Sequence, residues 1–433
     1  MGSIVGSGFD EDCHRLNVWV PDRAGEEPLP VFVWFHGGAF LVGGTNLYDG
    51  SALAAEGGII VVTANYRLGA LGFTNFGEAL GEDGAPGNLG LRDMIAVLKW
   101  VQANVAAFGG DPAKVTVGGQ SAGSISVSHL LQMQETRGLF RAAVMQSGAS
   151  NLGHERDFAV ANARAFAATL GLGEGDFGKL RAMPVETLLR GQAAYAATLT
   201  NAIPAAPWFD GELLPSSLDD ARKKPTHCVP LLAGTTTDEI RLFELLLRNV
   251  LPKRREDYAA ALQYQLGEEK AARILAAYPS SKRGRRDLGS DLTFAMPTRH
   301  FAERHAARAP TFYYRFTHRH PLIGAAHGLD LLMFWPFSGK LVALARGGSE
   351  RGALGELGQR MRADVARFVR DLSPGEDWPA YDAGQQAVKS YGRKDRIDYA
   401  PDAQRYEAWA GLDVTPGRIG PVDEHQSTSQ PPR

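Results

Sequence analysis

One short stretch, Gly119-Gln120-Ser121-Ala122-Gly123, could hold a reactive serine. It fits Gly-x-Ser-x-Gly, a sharp turn between a strand and a helix that lifts a serine hydroxyl clear of the backbone. Small residues suit it, because a side chain at Gly119 or Gly123 would crowd a strained turn. A serine hydroxyl is a weak nucleophile near neutral pH. It needs a neutral imidazole to take its proton and a carboxylate to orient that imidazole, and the resulting chemistry is acyl transfer. In doubly wound hydrolases the chain order is serine, acid, histidine. Beyond Ser121, the apolar run Val229–Ala233 leads into Gly234-Thr235-Thr236-Thr237-Asp238-Glu239. A carboxylate just past the end of a parallel strand stands where active sites form. Asp238 and Glu239 both fit, and the residues themselves leave the choice open.

Eleven histidines are present. His327 lies in Gly324-Ala325-Ala326-His327-Gly328, where small neighbours let an imidazole approach a serine. His318-Arg319-His320 alternates after a strand, but no cysteine or carboxylate stands at metal-ligand spacing, so no metal or cofactor is expected. A further loop, His36-Gly37-Gly38-Ala39-Phe40, follows the strand-like Val31–Phe35. A tetrahedral acyl intermediate places negative charge on oxygen, and backbone N–H groups must already point at it. Each such donor is worth about 3–4 kcal/mol of transition-state stabilisation.

These residues need a scaffold, and the chain alternates strand and helix. Strands are predicted at Leu16–Val20, Val31–Phe35, Ile59–Thr63, Val115–Val117, Ala142–Gln146, Val229–Ala233 and Thr311–Phe316. Leu91, Met94, Ile95, Leu98, Val101 and Val105 recur at helical spacing, with Asp111-Pro112 closing the segment. Such alternation specifies an α/β fold with a mostly parallel central sheet flanked by helices. Residues of about 151–200 and 245–290 read as helical excursions above the sheet. Lys253-Arg254-Arg255 and Lys282-Arg283-Gly284-Arg285-Arg286 read as solvated loops, and Gly171–Gly175 as a turn. A single catalytic domain over 1–416 is expected, with a flexible polar tail over 417–433.

The 433 residues carry a formal net charge of −2, which gives no reason to expect nucleic acid or a membrane surface as partner. No apolar run reaches the roughly 18 residues that span a bilayer, and the N-terminus lacks the pattern of a signal peptide. Cys13 and Cys228 are the only cysteines and read as free thiols, in keeping with a cytoplasmic protein.

The chain resembles the type-B carboxylesterases, the cholinesterase-like branch of the α/β-hydrolases. The resemblance is carried by Glu11–Trp19, Trp34–Phe40, Asn65–Gly69, Gly87–Asp93, Phe108–Pro112 and Gly119–Gly123. It continues through Gln146-Ser147-Gly148, Asp210-Gly211, Thr237-Asp238-Glu239, His327-Gly328 and Trp378–Tyr381, so it covers almost the whole chain. It implies Ser121 as nucleophile, Glu239 rather than Asp238 as acid, and His327 as general base. It implies the N–H groups of Gly38, Ala39 and Ala122 as oxyanion hole, and Ser147 as a serine supporting the triad. The activity implied is serine carboxylesterase through an acyl-enzyme, with no cofactor.

Three departures stand out. Gln120 replaces the family's glutamate before the serine, a change expected to act on pH dependence. Ile240 follows Glu239 where the family has glycine. The segment that the family carries before Glu11 is missing, which predicts an open sheet edge, a wider gorge, and a monomer or homodimer. Phe40, Trp208, Phe209, Phe243, Phe294 and Trp335 are candidate walls of an apolar pocket, suiting short- or medium-chain or aromatic esters. The alternatives are another acyl hydrolase on the same scaffold (an amidase, carbamate hydrolase or detoxifying esterase) and a silent binding module.

Overall fold

The strands assemble into one nine-stranded sheet in a computed structural model that describes residues 10–22, 27–199, 201–246, 250–335, 353–409, 411–416 and 418. The strands are β1 (Leu16–Trp19), β2 (Leu29–Phe35), β3 (Ile60–Ala64), β4 (Gly110–Gln120) and β5 (Ala142–Gln146), then β6 (Leu231–Thr236), β7 (Thr311–Phe316), β8 (Ala387–Tyr391) and β9 (Arg396–Tyr399). Their order is β1-β3-β2-β4-β5-β6-β7-β8-β9. Only the outer pairs, β1 with β3 and β8 with β9, are antiparallel.

Period-two alternation decides which side chain joins which layer. Val31, Val33 and Phe35 of β2 join one buried cluster, while Phe32 and Trp34 join the other. The helix Leu89–Asn104 closes the first face with Leu91, Met94, Ile95, Leu98 and Val101. The helix Ala353–Asp371 closes the second with Leu357, Met361, Val365, Phe368 and Val369. Each such side chain contributes about 1.5–3 kcal/mol when fully removed from water.

Several boundaries differ from expectation. The first helix gives way to a short 3-10 turn, Val105–Phe108, and Gly109 ends it with a left-handed φ of 79°. Asp111 and Pro112 therefore lie inside β4, at a register shift opposite Leu29 and Val31. Strand β8 escaped the apolar pattern because it carries a lysine: Lys389 is buried, its Nζ 2.6 Å from Asp364, and Tyr391 donates to the same carboxylate at 2.7 Å. The run Lys282–Arg286 is helical, within Lys282–Ser290, rather than a solvated loop. Arg285 and Arg286 converge on Glu244 at 2.5 and 2.7 Å, which consumes their charge in the fold. Gly171 and Gly175, with φ of 71° and 83°, form the expected turn. Apart from Arg418, the expected tail lies outside the described residues. Cys13 is half-buried and Cys228 exposed, and both are free thiols. Among the described residues, no helix is long and apolar enough to cross a membrane.

The sheet register brings the strand ends that carry chemistry to one edge. Phe35 pairs with Gly119, Gln120 with Gln146, Gln146 with Gly234, and Thr236 with Phe316. All are at or near carboxyl ends of parallel strands.

Three buried histidines couple this fold to pH. Burial holds His36 at about 4, His129 at about 3 and His154 at about 4, against an ordinary value of 6.5. His129 has no hydrogen-bond partner for either ring nitrogen among the described residues and meets Phe209 edge-on at 5.9 Å. Below its ordinary value the unfolded chain protonates His129 while the native chain does not. Stability from this residue is therefore present above about pH 6.5 and is lost as pH falls towards 3. His129→Leu keeps the volume without the charge. In urea unfolding it is expected to gain stability relative to the wild type as pH is lowered from about 6.5 to 4.5; a pH-independent difference would contradict this.

Candidate active site

Ser121 sits at the turn between β4 and the helix Ala122–Leu130. Its φ of 55° and ψ of −120° lie outside the ordinary regions for a non-glycine residue, a strain that surrounding structure must hold. Its N–H donates to Gln146 O at 2.9 Å, which ties the turn to β5. A Cβ at Gly123 would stand 2.0 Å from Phe35 O, so only glycine lets this helix approach β2 so closely.

The loop after β2 faces the serine. A Cβ on Gly37 would lie 3.1 Å from Ser121 Cβ. Gly38 has φ of 125°, and a Cβ there would overlap Val42 O at 1.8 Å, so the tight turn requires glycine. Ala39 and Phe40 continue with left-handed φ of 55° and 61°. The turn is closed by Leu41 and Val42 N–H groups on Gly38 O. His36 buttresses it from below. Its ring stacks on Tyr66 at 4.5 Å, and its Nδ1 donates to Gly37 O at 2.8 Å. Among the described residues, no hydrogen bond takes up the N–H of Gly38, Ala39 or Ala122, so all three are free for an anionic oxygen.

Glu239 and His327 meet from separate loops. Glu239, without solvent exposure, lies three residues beyond β6. Its Oε2 is 2.5 Å from His327 Nδ1, while Oε1 accepts from Thr236 N and Ser147 Oγ, each at 2.7 Å. Three donors thus satisfy a fully buried carboxylate. Ser147 is itself held in a left-handed conformation, φ 55°, with its N–H on Gly234 O. Ile240 needs no positive φ, which explains how it stands in place of glycine; its N–H reaches Ser290 Oγ at 3.3 Å.

Asp238 has a different task from its neighbour. Its backbone N–H donates to Ala325 O at 2.9 Å, and its side chain accepts from Ala325 N at 2.9 Å. Arg319 pairs with it at 2.9 Å, and Arg241 donates to Leu322 O. Two carboxylates adjacent in sequence therefore divide the work: Glu239 meets the imidazole, and Asp238 fastens the loop that carries it.

The serine and the histidine are not yet bonded to one another. His327 Nε2 is 3.1 Å from Gln120 Nε2, and among the described residues no hydrogen bond joins it to Ser121 Oγ. Phe294 stacks on the imidazole at 4.4 Å and Phe243 lies at 5.2 Å. Phe294 belongs to a π-helical turn, Asp291–Ala295, inserted between two helices, a local distortion often used to place a side chain at a site. The other candidate walls have packing partners of their own. Phe40 lies on Phe73, Phe209 on His129, Trp208 against Gly87, and Trp335 among Trp34, Tyr48 and Phe334.

Asp330 was not anticipated. It is fully buried, accepts from Tyr314 OH at 2.9 Å and from Leu331 N at 3.1 Å. Burial, reinforced by the negative charge of Glu239, pushes its carboxyl up to about 6. Its place three residues after His327 was the available signal.

A partly open cavity lies nearby, lined by Leu152, Phe158, Leu199, Ile203, Val250 and Leu251 together with the polar or charged His154, Glu155, Asn162, Tyr195 and Arg418. None of Ser121, Glu239 and His327 lines it. Leu251 also lines a small pocket beside Ile240 and Phe243, so a single layer of side chains connects it to the ring over His327.

Comparisons with known proteins point to one family. Residues 3–409 match the model of the Carboxylesterase family. The para-nitrobenzyl esterase of Bacillus subtilis (strain 168) is 36% identical over 413 residues, covering 91% of this chain and 82% of that protein. The cocaine esterase of Oryctolagus cuniculus is 30% identical over 438 residues, covering 93% of this chain and 79% of that protein. A solved structure of a thermophilic PNB esterase superposes with a TM-score of 0.82 at 33% identity, covering 92% of this chain and 84% of that one.

The hydrogen bonds on Glu239 make a quantitative expectation. Ser147→Ala removes one of three donors from a buried carboxylate, and a hydrogen bond to a charged group is worth about 1.5–3 kcal/mol. Urea unfolding of Ser147→Ala should show a loss of that size. A loss below about 0.5 kcal/mol would mean that the carboxylate does not depend on this donor.

Proposed function

The chain belongs to the carboxylesterase family and hydrolyses carboxylic ester bonds, and from that premise we propose that Ser121, His327 and Glu239 form its catalytic triad. The observation that carries the assignment is the fully buried Glu239–His327 pair at 2.5 Å, delivered to the same sheet edge as the Ser121 turn. Glu239 keeps the ring proton on Nδ1. Nε2 is then the base, and it accepts the proton as Ser121 Oγ attacks the ester carbonyl carbon. The carbonyl oxygen becomes an anion and is met by the N–H groups of Gly38, Ala39 and Ala122. As the intermediate collapses, the ester C–O bond breaks and Nε2–H protonates the departing alcohol. Water, deprotonated by the same nitrogen, then attacks the acyl-serine, and the acid leaves as Ser121 recovers its proton.

The aliphatic and aromatic side chains of the cavity, with the rings of Phe243 and Phe294, support a short- to medium-chain or aromatic ester as substrate. Two free thiols support a cytoplasmic location.

Covalent labelling with a fluorophosphonate tests the nucleophile. The wild type is expected to label stoichiometrically and to lose hydrolysis of a p-nitrophenyl ester in step. Ser121→Ala should fold, fail to label and lose activity by a factor on the order of 10⁴ or more. Full labelling of folded Ser121→Ala would overturn the assignment.

A further inference from the structure

The hydrogen bond on His327 Nε2 assigns a task to a residue outside the triad. Gln120 is buried, and its amide nitrogen stands 3.1 Å from that atom. Its amide oxygen is turned towards Gly37, where a Cβ would meet it at 2.7 Å. Nδ1 of the ring faces the Glu239 carboxylate, so it carries the proton of the neutral imidazole. Nε2 is then a bare lone pair and calls for a donor, which the amide N–H supplies. An imidazolium would set its Nε2–H against that N–H, donor to donor. The contact therefore favours the neutral ring, the only form able to take a proton from serine.

The remaining groups around the ring act in the opposite sense or carry no charge. Glu239 at Nδ1 favours the cation, as does the ionised form of Asp330 in the same loop. Tyr314 hydrogen-bonds Asp330, and Tyr313 lies behind, within reach of the Glu239 charge; burial keeps both phenols protonated. Phe243 and Phe294 cover the ring and are neutral. Two carboxylates would thus bias the base towards its useless form, and Gln120 is the group placed to offset them.

We propose that Gln120 is a positioning residue for the general base: its amide N–H holds the neutral His327 ring at Nε2 and yields that nitrogen to Ser121 when an ester is bound. The inference rests on the assignment of His327 as the base. A carboxylate of the same shape at position 120 reverses the sign, because it can only accept, and acceptance requires a proton on Nε2.

The test compares Gln120→Glu and Gln120→Met with the wild type in two readouts. One is the pH dependence of kcat/KM for a p-nitrophenyl ester. The other is the titration of the His327 ring by 15N NMR in a Ser121→Ala background, where no turnover is needed and His327→Gln identifies the signal. In Gln120→Glu the acid limb and the ring titration should both move to higher pH by about one unit or more. In Gln120→Met, which has no donor and no charge, both should move in the same direction by less. Ring titrations that superimpose on the wild type would overturn the role of Gln120. A ring titration that moves while the rate profile stays fixed would instead overturn His327 as the base.

Discussion

A carboxylate with no solvent exposure is the constraint around which this site is built. Glu239 lies in protein on every side, where an unpaired charge would cost several kcal/mol. The fold tolerates it because Thr236 N, Ser147 Oγ and His327 Nδ1 each supply a hydrogen bond of 2.5–2.7 Å. Those partners come from the end of β6, the end of β5 and the loop after β7. Each of these segments must therefore arrive in register for the charge to be satisfied at all. Breaking one contact leaves a buried charge short of a partner, which couples the stability of the fold to the geometry of the reacting groups.

The loops that deliver these groups are fastened independently. Asp238 binds both backbone and side chain to Ala325, and Arg319 neutralises the charge that this clamp introduces. Aromatic rings from two further elements, Phe243 after β6 and Phe294 on its π-helical turn, limit where the imidazole can swing. On the other side, Ala39 and Ser121 hold strained positive φ angles, while Gly38 takes its positive φ without strain. In the proposed oxyanion hole the N–H groups of Gly38, Ala39 and Ala122, which no hydrogen bond takes up among the described residues, would gain a partner only when an anionic oxygen forms. That is the condition for binding a transition state more tightly than a ground state.

Much of this was legible in the sequence where the signal was local. The elbow at Ser121 and the loop at Gly38 follow from glycines that the turns cannot do without. The short apolar runs of β2, β3 and β5 marked themselves, since nearly all their side chains are buried. What stayed hidden depends on distant partners. Asp238 and Glu239 are neighbours of the same chemical type, and only the fold, by aiming one at Ala325 and the other at His327, distinguishes them. The contact of Gln120 with His327 spans 207 residues. Strand β8 is masked by the lysine that Asp364 neutralises, and Phe294 reaches the imidazole only through a helical irregularity that periodicity does not reveal. Trp335, by contrast, was a plausible pocket wall by type alone, yet its ring packs against Trp34 in the layer beneath the sheet.

The most direct test of the proposed constellation is a crystal structure of the enzyme after reaction with a fluorophosphonate. The adduct is expected on Ser121 Oγ, with one phosphoryl oxygen within hydrogen-bond distance of the N–H groups of Gly38, Ala39 and Ala122. His327 should keep its bond to Glu239 while Nε2 turns from Gln120 towards the adduct. An adduct on another residue, or a phosphoryl oxygen directed away from those three N–H groups, would contradict it.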